Sequence, residues 1–268
     1  MSGSNDHIGA DGRRYGTATI AEAVARLRDG GLVAVPTETV YGLAADSARA
    51  AAVAEIYRTK GRPDFNPLIV HVLDLEAARS LGQFDPLALR FAAAFWPGPL
   101  TLVVPKTDDC PVAPAVTAGL STIALRCPAH PVMRELLAAS GLYLAAPSAN
   151  RSGGISPTTA AHVVRSLQSA APLILDGGPC DQGIESTIVA VDGDDYRILR
   201  PGPVTASQLE AVAGKAADTA ISSKIEAPGQ MASHYAPSKP VRLGADIARP
   251  DEYHIGFGRV AGDVNLSQ

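Results

Sequence analysis

Apolar positions first recur at helical spacing at Ile20, Ala23, Val24 and Leu27, and the run ends at Gly30-Gly31. That spacing predicts a helix with a glycine stop. The unbroken apolar stretch at 32–35 predicts a short buried strand, 50–57 a helix, and 68–72 a second buried strand. Helices follow at 75–81 and 86–95, then strands at 100–104 and 122–125. Val132, Met133, Leu136 and Leu137 mark another helical face, and 142–146 reads as a strand. Ser156-Pro157 offers a cap and a first-turn proline for the next helix. Strands at 173–175, 187–191 and 196–199 and a helix at 204–212 complete the set.

Strands and helices interleave without strict alternation, which predicts an α/β domain: a twisted mixed sheet with flanking helices over residues 18–214. Residues 1–17 read as a flexible N-terminus. The pattern then dissolves. Residues 215–238 carry Ala, Lys, Ser, Pro and Gly without period, including Ala227-Pro228-Gly229 and Ser233-His234-Tyr235-Ala236-Pro237, the composition of a linker. Strand-like runs at 241–243 and 253–257 belong to a second unit. About thirty residues are few for an independent domain, so 239–268 is expected to be a partial one.

Composition narrows the class. The chain has 268 residues, 46% hydrophobic and 19% charged, with a net charge of −4. That balance suits a globular protein with a substantial core and argues against broad electrostatic capture of nucleic acid. Cys110, Cys127 and Cys180 are odd in number and widely spaced, which disfavours a disulfide framework or a zinc site. The polar start lacks the apolar segment of a signal peptide, and no run approaches a membrane span. A soluble protein of the reducing cytoplasm is the expectation.

Candidate chemistry concentrates in one window. Pro36-Thr37-Glu38-Thr39-Val40-Tyr41-Gly42-Leu43, Lys60-Gly61-Arg62-Pro63 and Asn66-Pro67-Leu68-Ile69-Val70-His71 set hydroxyls, two cations, an amide and an imidazole near strand ends. Lys60 and Arg62 suit phosphate oxygens, one as a point charge and one as a fork, yet equally suit a solvated helix end. Thr122, Ala124 and Arg126 share a strand face, where Arg126 could receive a carboxylate or simply reach solvent. Ser148 and Asn150 follow an apolar strand, where ligands of open α/β sheets sit, but both are also ordinary turn residues. Asp176 and Glu185 could meet Mg²⁺ through water, without a metal-site spacing. Neither of the usual glycine-rich phosphate loops is present.

The ordered motifs, with Trp96-Pro97-Gly98-Pro99-Leu100-Thr101, Pro147-Ser148-Ala149-Asn150, Glu185-Ser186-Thr187-Ile188 and Leu199-Arg200-Pro201-Gly202, resemble the threonylcarbamoyl-AMP synthase family and its YrdC-like fold. The linker resembles that of the longer subfamily, which adds a small Rossmann-like C-terminal unit. The resemblance implies condensation of L-threonine, bicarbonate and ATP, with Mg²⁺, into threonylcarbamoyl-AMP and pyrophosphate. Other proteins would then transfer the threonylcarbamoyl group to tRNA. It implies threonine contacts at Thr39, His71, Arg126, Ser148 and Ser186. ATP contacts are implied at Lys60, Arg62, Asn66, Thr122, Asn150, Thr158, Arg200 and the linker's Tyr235, with Lys60 and Arg62 the catalytic cations. An RNA-binding module without adenylate synthesis is the competing reading, and the acidic net charge counts against it.

Overall fold

The computed structural model describes residues 18–218 and 239–266, together with a short antiparallel pair, β1 (His7–Ile8) and β2 (Arg14–Tyr15). The chain divides into two compact units, Met1–Ala236 and Pro237–Gln268.

In the first unit, α1 (Ile20–Arg28) opens on a capping box between Thr19 and Glu22. It leads to β3 (Val33–Val35) and β4 (Gly42–Asp46). Helix α2 (Ala50–Lys60) stops at Gly61, whose φ of 60° is the left-handed cap geometry that glycine adopts without strain. Then come β5 (Ile69–His71), α3 (Leu75–Arg79), and α4 (Pro86–Phe95), capped by Asp85. Next are β6 (Leu100–Pro105), β7 (Thr122–Arg126), α5 (Pro131–Ser140) and β8 (Leu144–Ala145). Helix α6 (Ala160–Leu167), β9 (Leu173–Ile174), β10 (Thr187–Asp192), β11 (Asp195–Arg200) and α7 (Ala206–Ala213) complete the unit.

These strands make a nine-stranded mixed sheet in the order β11-β10-β6-β7-β5-β8-β4-β3-β9. Strands β10 and β6, β7 and β5, and β3 and β9 pair in parallel; the other neighbours are antiparallel. Alternation along the strands divides the sheet's two faces. Val70, Leu102, Val104, Ile123 and Leu125 enter the large core that also holds Ile56, Leu87, Phe91, Val163 and Leu209 from the helices. Ile69, Val103, Ala124 and Ile188 form a smaller cluster on the other face. His71 and Arg126, two residues beyond Ile69 and Ala124, share that second face. Parallel register places the two directly opposite each other. The sheet therefore delivers an imidazole and a guanidinium side by side.

Strand β4 is absent from the periodicity because all five of its positions are buried, leaving no polar alternation. The helix expected to open at Ser156-Pro157 begins instead at Ala160, where the Thr159 hydroxyl accepts the His162 N–H. Ser156 is otherwise engaged, donating to Glu185. In the second unit, 241–243 is not a strand, and 253–257 shortens to β12 (Ile255–Gly256), paired in parallel with β13 (Val264–Asn265). An Arg242–Glu252 ion pair ties that unit together. Among the described residues no helix is long and apolar enough to cross a membrane.

Candidate active site

Beyond the ends of β3, β5, β7 and β11 lies a pocket lined by Thr37, Thr39, Arg62, His71, Arg126, Ser148, Glu185, Ser186 and Arg200, with Ile69, Ala146 and Pro147 as its apolar wall. Gly42 also lines it, and a Cβ there would come within 3.2 Å of the Ala146 side chain, so glycine lets β4 pass close to the wall. The pocket opens to solvent, and its cavity volume of about 40 Å³ gives room for roughly three ordered waters.

The floor is a buried ion pair. Arg126 Nη2 donates to Glu38 Oε1 at 2.6 Å, Nη1 to Thr39 Oγ1 at 2.8 Å, and Nε to the Gly98 carbonyl at 3.2 Å. Glu38 Oε2 accepts the Ala129 N–H at 3.1 Å. Burial pushes the Glu38 pKa up, but the Arg126 charge and these hydrogen bonds together outweigh it and hold the carboxyl below its ordinary value. An arginine has five N–H donors. Three are committed here, so a substrate carboxylate meets a guanidinium already oriented and partly neutralised. Glu38 is the functional residue that sequence reasoning passed over. A carboxylate flanked by two threonines just before a buried strand was its only signal.

His71 is fully enclosed, and its Nδ1 has no hydrogen-bond partner among the protein atoms. Burial, and after it the Arg126 charge, lower its pKa to about 3, so the ring is neutral at working pH. A buried ring nitrogen left unpaired is a costly arrangement. Ser186 is held by Thr101, with 2.8 Å between hydroxyls, and by Arg200, whose Nε and Nη2 donate to the Ser186 carbonyl at 3.0 and 2.9 Å. Arg62 Nη2 donates to the Pro67 carbonyl at 2.9 Å, which fixes the arginine on the opposite side.

Lys60 and Asn150, at which ATP contacts were expected, are bonded to protein groups in this structure. Lys60 is buried, and its Nζ donates to the Ser148 carbonyl and, at 2.6 Å, to the Asn150 carbonyl. Burial, then the Arg62 charge, press its pKa well below the usual lysine value. Asn150 donates through Nδ2 to the carbonyls of Arg151 and Gly154, both at 2.8 Å. These two side chains brace the 147–154 loop that presents Ser148 to the pocket. Thr122 stands at the other end of β7, about 13 Å from Arg126 along the strand. The Thr158 hydroxyl meets His162 Nδ1 at 3.2 Å. Asn66 is buried on the loop that carries Arg62. Tyr235 and most of the linker expected at 215–238 fall on 219–238, outside the described residues.

Two family models match the chain. The Sua5/yciO/yrdC model, described as "Telomere recombination", covers residues 25–202, and one described as "Threonylcarbamoyl-AMP synthase, C-terminal domain" covers residues 204–261. Threonylcarbamoyl-AMP synthase of Bacillus subtilis is 46% identical over 84% of this chain and 66% of its own length. That of Schizosaccharomyces pombe is 40% identical over 83% of this chain and 62% of its own length. Among solved structures, P. abyssi Sua5 complexed with L-threonine superposes with a TM-score of 0.77 at 41% identity, covering 82% of this chain and 66% of that one. The chain thus spans just under two thirds of the length of each of these three relatives.

Proposed function

The chain belongs to the Sua5/YciO/YrdC family, and from that premise we propose that it synthesises threonylcarbamoyl-AMP from L-threonine, bicarbonate and ATP, releasing pyrophosphate. The observation that carries this reading is the pocket itself. Three arginines, a neutral buried imidazole and four hydroxyls converge on a space the size of a small amino acid. The threonine complex of P. abyssi Sua5 supports threonine as its occupant.

In this reading the threonine carboxylate takes the two N–H donors that Arg126 has left. Ser148, Thr39 and the His71 ring meet the remaining polar groups. The threonine amine bonds to the bicarbonate carbon with loss of water, giving a carbamate. A carbamate oxygen then attacks the α-phosphorus of ATP, and the bond to the bridging oxygen breaks to release pyrophosphate. Arg62 and Arg200, at the pocket wall, face the oxygens on which negative charge grows, and their prior fixation avoids reorganisation during the step. No protein base is needed. Positioning and electrostatics supply the acceleration.

Among the described residues no group of three His, Cys, Asp or Glu side chains could hold a metal, and Glu185 is the carboxylate on the pocket wall. We place Mg²⁺ with the ATP phosphates, where it would neutralise charge, rather than in a protein cage. The product is a mixed anhydride, an activated acyl donor. It suits onward transfer by a second protein to a tRNA amine, with tRNA binding to this chain indirect. The free thiols Cys110, Cys127 and Cys180 suit the reducing cytoplasm as its compartment.

Pyrophosphate release with threonine, bicarbonate and ATP omitted in turn tests the reading. Dependence on all three supports it. Release that persists without threonine or without bicarbonate refutes it.

A further inference from the structure

Residues 96–101 are absent from the pocket wall, yet they hold it from behind. The Gly98 carbonyl accepts from Arg126 Nε at 3.2 Å. The Pro99 carbonyl accepts the N–H of Thr187, the residue after Ser186, at 3.0 Å. Thr101, on β6, reaches the Ser186 hydroxyl itself, with 2.8 Å between the oxygens. The parallel pairing of β6 with β10, which sets Thr101 opposite Ile188, fixes the two hydroxyls together.

Proton counting gives that last bond a direction. A hydroxyl has one proton to donate and two lone pairs that accept. Thr101 is fully buried, and among the described residues Ser186 is the partner of its hydroxyl. If Ser186 donated, the Thr101 proton would be stranded in the interior, with the full penalty of an unmade buried bond. Thr101 therefore donates and Ser186 accepts. Arg200 Nη2 also donates to Ser186 Oγ, at 3.1 Å. Both lone pairs of Ser186 are then occupied, and its own proton is left for the pocket that it lines. The two incoming bonds, one from a cation, polarise that O–H in the donating sense.

We infer that Thr101 is a positioning residue that makes Ser186 a one-way donor, reserved for an anionic carboxyl-type oxygen of the substrates. The inference rests on the synthase reading above, in which such oxygens belong to the threonine carboxylate and to bicarbonate or the carbamate formed from it. Ser186 has no lone pair left to meet an ammonium group, so the substrate amine lies away from the Ser186–Arg200 side.

Steady-state pyrophosphate release tests this through the KM values for threonine, bicarbonate and ATP. The proteins compared are the wild-type chain, Thr101→Val, Thr101→Ser, Ser186→Ala and Thr101→Val/Ser186→Ala. Valine keeps the branched shape and removes the hydroxyl. Thr101→Val should raise the KM for threonine, bicarbonate or both about three- to tenfold, with the ATP KM within about twofold of wild type. The substrate that responds identifies the oxygen. Thr101→Ser, which keeps the hydroxyl, should rescue the loss. In the Ser186→Ala background Thr101→Val should add less than about twofold, because both act through one hydroxyl. An unchanged KM in Thr101→Val would overturn the inference, and a lower one would show that Ser186 donates to Thr101. An equal rise for ATP, or additive losses in the double variant, would overturn it too. Urea denaturation gives a readout that needs no turnover. Ser186→Ala strands the Thr101 hydroxyl and should lower the midpoint, and adding Thr101→Val should bring it back up. A midpoint that falls further would break the coupling on which the inference stands. Failure of the synthase reading is seen separately, as wild-type pyrophosphate release that does not depend on threonine or bicarbonate.

Discussion

At the pocket floor, Arg126, Glu38, Thr39 and Gly98 are joined by short buried hydrogen bonds, whereas at the mouth Phe65, Ile155 and Ile184 project into water from braced loops. The floor spends its polar groups on one another before any ligand arrives. Its charge is half-neutralised and its geometry set, which suits recognition of a small molecule by direction. The mouth offers exposed area without direction. The contrast teaches where each kind of substitution should register: strongly at the floor, in stability and threonine dependence, and only weakly at the mouth.

Breaking the floor should have the largest effect. Glu38→Ala leaves Arg126 charged, buried and without its carboxylate, and should cost about 3–5 kcal/mol of folding stability, read by urea denaturation. A loss below about 1 kcal/mol would show that the pair does not organise the floor. Arg126→Lys keeps a charge and loses the fork. It should raise the threonine KM well above any change in the ATP KM, and equal changes would remove Arg126 from the threonine subsite.

Lys60 and Arg62, two residues apart, should differ in turnover. Lys60→Met removes the ammonium that braces the 147–154 loop, and each hydrogen bond to a charged group is worth about 1.5–3 kcal/mol. Denaturation midpoints should drop accordingly. Arg62→Ala gives up its own buried bonds to the Asn66 and Pro67 carbonyls, so its midpoint should fall as well, and it should in addition cut ATP turnover about ten- to hundredfold, the same contact energy read as rate. The reverse assignment of the turnover loss would mean that Lys60 faces phosphate and Arg62 braces the loop.

His71 sharpens the floor through pH. Its pKa lies near 3 when folded, against 6.5 for the free side chain. The unfolded chain therefore binds the extra proton first as pH falls. The His71 contribution is complete above pH 6.5 and is lost toward pH 3, at up to about 1.4 kcal/mol per pH unit. His71→Asn should flatten the acid limb of a stability–pH curve in that window; an unchanged limb would mean the ring is not held neutral. At the mouth, Ser156→Ala removes one hydrogen bond between half-buried loops and should cost only about 1 kcal/mol, with threonine KM unchanged. A tenfold rise in threonine KM would make that bond part of the floor.

The same division explains what the sequence disclosed. Elements with one wet face were legible. Helix α1 carried its apolar spacing and glycine stop, and Arg126 could be placed on a strand face by counting twos. Strand β4 gave no alternation because both its faces are covered. Glu38 escaped notice because its partner is 88 positions away. Lys60 drew attention as a cation beside a turn, but its direction is set by the carbonyls of a loop brought in by tertiary packing.

The account's central claim is tested most directly by the product. The chain is incubated with L-threonine, ¹³C-labelled bicarbonate and ATP, and the nucleotide fraction is read by mass spectrometry. The account predicts one adenylate carrying both threonine and the labelled carbon, appearing in step with pyrophosphate. ADP with inorganic phosphate, or an adenylate lacking the labelled carbon, would contradict it.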